Sequence, residues 1–276
     1  WSPRDEGVGE VLTLPEICDH FDLSLVGKAG ASVDEEKLRW LNNQHLERMV
    51  KESNIKIAST LLVQGEGERG GDKDKEVEGE QDGEDLTEEE KKSRSALVDY
   101  FLPVLKQRRF SFPSEEYLLR VIAVSCDRLI LPSDLVDRFP FFFEEPDFED
   151  PERMGLYFNI NFPDFCHVMR LFHSTVLEEV VEGLGKDPET LSPEELVALI
   201  KNSPLESTAI TNAVKKTSKI TGIKPKQLYG GIRFCVTGDV VGPPVVDTLV
   251  VIGLDTVNRR FDKFFEEFAM VSEVYT

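Results

Sequence analysis

The stretch STAITNAVKKTSKITGIKPKQLYGGIRFCVTG, running from Ser207 to Gly238, contains no aspartate and no glutamate. Its charged side chains are Lys215, Lys216, Lys219, Lys224, Lys226 and Arg233. The pattern reads as two consecutive helices, expected over 205–221 and 225–236. The whole chain carries a formal net charge of −20, so long-range repulsion opposes indiscriminate binding to nucleic acid. A basic surface confined to one segment of such a chain points to a specific polyanion, met in one orientation by one face. The plain alternative is a solvated helix surface with scattered lysines.

Working outward, the rest of the chain also reads as helical. Thr13 with Pro15 opens a short helix, and Asp34 caps a second through Leu38, Leu41 and Leu46. Residues 55–63 are mostly apolar, and periodicity leaves strand and helix both open. Thr87 and Glu90 resemble a capping box at the head of a long helix to about Lys106. Another helix begins at Pro113 or Ser114 and is expected to end near Leu131 and Pro132. Phe139, Phe141, Phe142 and Phe143 are expected to fill a core or a helix junction. An irregular acidic stretch over 144–152 follows. Further helices are expected over about 164–182, 193–201, 244–252 and 255–271. The fold class is therefore all-α, a multi-helix assembly with short connections after Pro163.

Residues 65–90 differ in kind. They hold thirteen acidic and three basic residues, half of the net charge, and Val77 and Leu86 are their only aliphatic side chains. Such a segment buries too little apolar surface to offset chain entropy and reads as a disordered insert.

The 276 residues, 40% hydrophobic and 30% charged, suit one large or two smaller water-soluble domains. No apolar run reaches bilayer length, so no membrane span is expected. Trp1 stands where a methionine would open a complete chain, which suggests a piece of a longer protein. Cys18, Cys126, Cys166 and Cys235 are widely spaced, as reduced core thiols would be, and no metal ligand set is expected. His167 and His173, six residues apart on a helix, do not share a face and add none.

Two segments carry a resemblance. Val33, Asp34, Lys37, Leu38, Arg39, Trp40, Leu41, Asn42 and Gln44 resemble the helix that follows the catalytic half of bacterial-type glutamyl-tRNA synthetases. Leu228, Ile232, Arg233, Val236, Thr237, Gly238, Gly242, Pro243, Leu249, Ile252 and Gly253 resemble that family's C-terminal anticodon-binding module. Trp1, Ser2 and Pro3 resemble the segment just past its catalytic lysine loop. The family's His-Ile-Gly-His motif and Lys-Met-Ser-Lys-Ser-like loop are both missing, so no catalytic residue is assigned and no cofactor is expected in this chain. ATP and Mg would belong to the missing catalytic half of the same polypeptide. The resemblance implies a stem-contact region over 1–64, the insert over 65–90, and two anticodon-binding helical subdomains over 91–204 and 205–276.

What the resemblance implies about the site is residue-specific. Arg128 falls at the arginine that reads the third anticodon base, late in the helix containing Tyr117 and Leu118. A guanidinium can donate to the O2 and N3 acceptors of cytosine, whereas guanine presents donors there. The alternative for Arg128 is an ion pair with Asp127 or Asp134. Arg233 matches the second-base arginine, although Gly231 and Ile232 replace the family's usual proline-containing pair. Gly242, Pro243 and Val245 match the turn packed on the middle base, and Lys215 a basic contact. Lys216, Lys219, Lys224 and Lys226 are at most phosphate contacts.

Other residues invite both a functional and an ordinary reading. Trp40 is expected in the core in preference to stacking on a base. Asn42 and Asn43 either touch the tRNA stem or end a turn. Glu115, Glu116 and Arg120 read as helix-surface pairing, and Glu178, Glu179 and Glu182 as solvent-facing. The expected partner is the glutamate tRNA, without membrane and without oligomerisation. The helical type and the acidic insert point to a mitochondrial matrix enzyme, with a bacterial cytoplasmic one as the alternative. The competing functional class is a non-catalytic acidic scaffold that binds a protein through an apolar groove. A carboxylate-built, metal-dependent hydrolase is the poorest option.

Overall fold

Short polar residues mark where the helices begin. Thr13 and Glu16 exchange backbone and side-chain hydrogen bonds at the head of α1 (Leu14–His20), satisfying amides that the first turn leaves bare. Asp34 accepts from the Lys37 amide at 3.1 Å to start α2 (Glu35–Glu52). Thr87 and Glu90 form the same reciprocal cap for α3 (Glu88–Arg108), and Ser114 caps α4 (Glu115–Ser125). The computed structural model describes residues 10–27, 30, 32–57, 86–148 and 162–274. Among these there is no strand, so the fold is all-α. The Trp1–Pro3 motif and residues 65–85 and 149–152 lie outside the described residues.

After α4 come a 3-10 turn (Cys126–Arg128), α5 (Pro132–Arg138) and a second 3-10 turn (Pro140–Phe142). The C-terminal half comprises α6 (Phe162–Gly183), α7 (Pro193–Asn202), α8 (Ser207–Thr221), α9 (Pro225–Thr237), α10 (Val245–Ile252) and α11 (Leu254–Val274). Helix α8 packs along α6, and α11 touches α6, α7, α9 and α10. Helix α2 lies on α3 and on the 126–128 turn, while α10 reaches back to α4. One continuous apolar core joins all of this, from Leu46 to Phe268. Its centre is aromatic: Phe264 sits edge-on to Phe148, Phe165 and Phe234 with ring centroids 5.3, 6.0 and 6.1 Å away.

Several sequence expectations change. The helix expected to reach Leu131 stops at Ser125, because Asp134 takes the amides of Ile130 and Leu131 at 2.8 and 2.9 Å. Of residues 55–63, Ile55 to Ile57 are neither helix nor strand and the others lie outside the described residues. Trp40 is not in the core: it is 44% exposed, beside Leu38 at 58%. Helix α2 buries only Leu46, near its C-terminal end, so its first turns stand clear of the packed surface. Phe139, Phe141 and Phe142 are buried as expected, with Phe143 partly so. Of the cysteines, Cys166 and Cys235 are buried, Cys126 is half-buried and Cys18 is exposed, all four as free thiols.

Candidate nucleic-acid interface

The basic stretch folds as α8 and α9, joined at Gly222, whose φ of +74° is the left-handed region that glycine occupies without cost. Pro225 opens α9 in the helix-compatible first position. Ile232 points fully into the core and Gly231 is buried. The helix therefore runs straight through the position where the family pattern differs. Arg233 on the next position is half-buried. Its Nη1 donates to Pro243 O at 2.5 Å.

The segment after α9 is shaped to receive that guanidinium. Gly238 ends the helix with φ +72°, and a Cβ there would lie 2.5 Å from Asp147 O. Asp239 Oδ1 then accepts the amides of Val240 and Val241, which turns the chain back. Gly242 and Pro243 are buried. A Cβ on Gly242 would meet Arg233 Nη1 at 2.7 Å and the Phe141 ring at 3.9 Å. Only a hydrogen at that position lets the guanidinium lie against the turn.

Arg128 reaches the same turn from the other side. It leaves the 3-10 turn after α4 and donates through Nη1 to Gly242 O. Arg128 and Arg233 thus contact the carbonyls of two consecutive residues, from helices separated by about a hundred residues of chain. Asp127 lies 3.4 Å from Arg128 Nε, as one alternative reading supposed, while Asp134 is occupied with backbone amides. The pairing does not bury the arginine, because a third of its side chain stays exposed.

Beside Arg233 lies an open depression of about 420 Å³ lined by Lys226, Tyr229, Gly230, Arg233, Val240 and Val245. Burial raises the Tyr229 phenol above its ordinary range, offset by a hydrogen bond with Thr211 on α8. Lys215 sits exposed one turn beyond Thr211, on the same helix face. Lys226 lines the depression itself, and Lys219 and Lys224 are exposed. Lys216 differs: its ammonium pairs with Glu179, and with Glu182 at 3.6 Å, across to α6. Glu179 is correspondingly not solvent-facing, its side chain being 9% exposed. These two residues hold helices together and leave the basic surface to their neighbours.

Three residues support this geometry through partners that the sequence does not reveal. Arg260, 3% exposed on α11, donates to Val236 O, Phe141 O and Glu144 O at 2.9, 2.6 and 3.0 Å. It ties the end of α9 to the phenylalanine turn beneath Gly242. Asn42 and Asn43 end no turn: they lie within α2 and hydrogen-bond the segment that carries Arg128. The sequence leaves Asn42 and Asn43 between stem contact and turn end and does not mark Arg260, and only the tertiary partners give these roles. Glu116 pairs across helices with Arg94 at 2.9 Å, not along its own helix with Arg120.

The helical bundle thus brings two arginines onto one glycine–proline turn, with a basic depression alongside. Residues 162–265 match the family described as "Anticodon binding domain". Over 268 residues, 95% of its length, the chain is 25% identical to the glutamate–tRNA ligase of Chloroherpeton thalassium. Over 96% it is 27% identical to that of Staphylococcus saprophyticus. It covers 40% and 41% of those two proteins. The crystal structure of a glutamate tRNA ligase from Elizabethkingia meningosepticum shares the fold at a TM-score of 0.62 and 20% identity, over 96% of this chain and 38% of that one. The Elizabethkingia anophelis synthetase structure does so at 0.56. This chain carries an anticodon-binding domain and is homologous to the C-terminal region of glutamate–tRNA ligases.

Proposed function

We propose that this chain selects the tRNA for a glutamate–tRNA ligase, reading the anticodon of the glutamate tRNA at the Gly242–Pro243 turn. In this reading α1 and α2 lie towards the tRNA stem. Arg128 reads the third anticodon base and Arg233 the second. Gly242, Pro243 and Val245 form the wall on which the middle base packs, and Lys215, Lys219, Lys224 and Lys226 hold phosphates. The catalytic half of the same polypeptide would use ATP and Mg to activate glutamate and transfer it to the tRNA 3′ end. A mitochondrial matrix location is part of the proposal and rests on the acidic insert and the helical anticodon module.

The single observation that carries the reading is the convergence of both guanidinium groups on consecutive carbonyls of one buried turn. Anticodon-loop bases are unstacked, so side chains can reach their edges while basic residues grip the backbone. Arg128 keeps a third of its side chain exposed beyond its bond to Gly242 O, and the planar fork of donors on a guanidinium matches the O2 and N3 acceptors of cytosine. Lysines and arginines around the depression supply the electrostatic part, each phosphate contact adding about one unit to the salt dependence.

The test is binding of glutamate tRNA transcript to the chain at several salt concentrations. The expected result is selective, salt-dependent binding, lowered about tenfold or more by Arg233→Ala, the loss of a charged hydrogen bond of about 1.5–3 kcal/mol. Equal affinity for unrelated RNAs, or no change on Arg233→Ala, would overturn the assignment.

A further inference from the structure

The segment that carries Arg128 is held from outside by α2. Asn43 Nδ2 donates to two carbonyls at once, Cys126 O at 2.8 Å and Leu129 O at 2.9 Å. Asn42 Nδ2 donates to Ile130 O. These carbonyls flank Arg128 on both sides, in the stretch where α4 has ended and α5 has not begun. Cys126 O also takes the Leu129 amide at 3.3 Å within the 3-10 turn, while carbonyls past a helix end otherwise need partners from elsewhere. The opposite side of the stretch is held too: Asp134 takes the amides of Ile130 and Leu131, and Arg138 donates to the carbonyl of Arg128 itself. With the backbone held from both sides, the side chain of Arg128 extends to Gly242 O.

We propose that Asn43, assisted by Asn42, is a positioning residue for Arg128: its amide sets the backbone of the 126–130 turn, so that the guanidinium lies on the Gly242–Pro243 turn beside Arg233. This deepens the proposed role of Arg128 as the reader of the third anticodon base, and rests on it. It also means that α2, the helix of the stem-side region, is hydrogen-bonded to the turn that reads the loop. The chemistry calls for an amide. Asn43 offers N–H to both carbonyls, whereas an aspartate of the same shape offers only acceptors and sets oxygen against oxygen. A valine at this place removes both donations and leaves Cys126 O with the Leu129 amide alone.

The experiment uses the full chain and two glutamate tRNA transcripts, identical except for C or G as the third anticodon base. Dissociation constants are measured for the unmutated chain, Asn43→Asp, Arg128→Gln and the double variant, with helical content and thermal unfolding recorded in parallel. The unmutated chain is expected to prefer C by about tenfold or more, the worth of one charge-assisted hydrogen bond. Asn43→Asp is expected to remove most of that preference while leaving the salt dependence unchanged, because no phosphate contact is lost. The double variant is expected to be no less selective than Arg128→Gln alone, since both act through one side chain. Asn42→Ser is expected to lower the preference by a smaller factor, and replaces Asn43→Asp if that variant does not fold.

Positioning is overturned if the asparagine variants keep the full preference while Arg128→Gln abolishes it. It is equally overturned if they weaken both transcripts alike. An Arg128→Gln variant that still prefers C instead sinks the proposed reading of Arg128, and positioning with it.

Discussion

The two ends of the molecule treat apolar side chains in opposite ways. In α9 and α11, Leu228, Ile232, Cys235, Phe261 and Phe264 are all 0% exposed. In the N-terminal region, Leu14, Leu23, Val33 and Leu38 are 73, 75, 77 and 58% exposed, and Trp40 is 44% exposed. Both regions show helical spacing and comparable residue types. What differs is the partner: α11 touches four other helices, whereas the first turns of α2 stand free of the core. Periodicity states which residues share a face, and says nothing of whether that face is covered.

The comparison can be broken most directly at its aromatic centre. Phe264→Ala is expected to cost about 3–5 kcal/mol in denaturant unfolding, the usual price of deleting a buried phenylalanine. Leu38→Ala is expected to stay within about 0.5 kcal/mol. Similar costs for the two would mean that the N-terminal apolar residues pack as the core does. Next in size is Arg260→Met. It keeps the stem of the side chain and leaves three backbone carbonyls without their donor. About 3 kcal/mol is expected, since each buried unsatisfied group costs roughly 1–3 kcal/mol and some relax. Gly238→Ala follows at about 2 kcal/mol, from a strained left-handed conformation and the contact with Asp147 O.

Smaller still is the pH effect. His173 Nε2 lies 2.9 Å from Asn258 Oδ1, with the ring stacked on Phe261. Burial holds its pKa below 6.5, against the weaker opposing pull of the Asn258 hydrogen bond. A histidine whose folded value is depressed is kept neutral by the fold, so the unfolded chain binds the extra proton first. Its stabilising contribution is complete above about pH 6.5 and is lost as pH falls through the window beneath it. His173→Phe is expected to flatten that part of the stability profile.

How far the sequence led depends on the kind of interaction. Thr13, Asp34 and Thr87 with Glu90 signalled their helix starts because capping is local, fought out within four residues. The all-helical class followed for the same reason. The resemblance points to Arg128, Arg233 and Gly242, and the structure adds that both arginines bond the Gly242–Pro243 turn. Trp40 and Glu179 were misplaced because burial belongs to tertiary contact: α2 projects where a packed helix was expected, and Lys216 draws Glu179 inward. Asn42, Asn43 and Arg260 act on carbonyls more than twenty residues away. No spacing rule reports such partners.

Gly242→Ala measures the central claim most directly. A methyl group there meets the guanidinium tip of Arg233 and the edge of Phe141 but no backbone atom. The fold should therefore hold while the guanidinium is pushed off the turn. The account gives thermal unfolding within a few degrees of the unmutated chain, and affinity for glutamate tRNA about tenfold weaker. Unchanged affinity in a variant that folds normally would show that the turn and its two arginines do not read RNA.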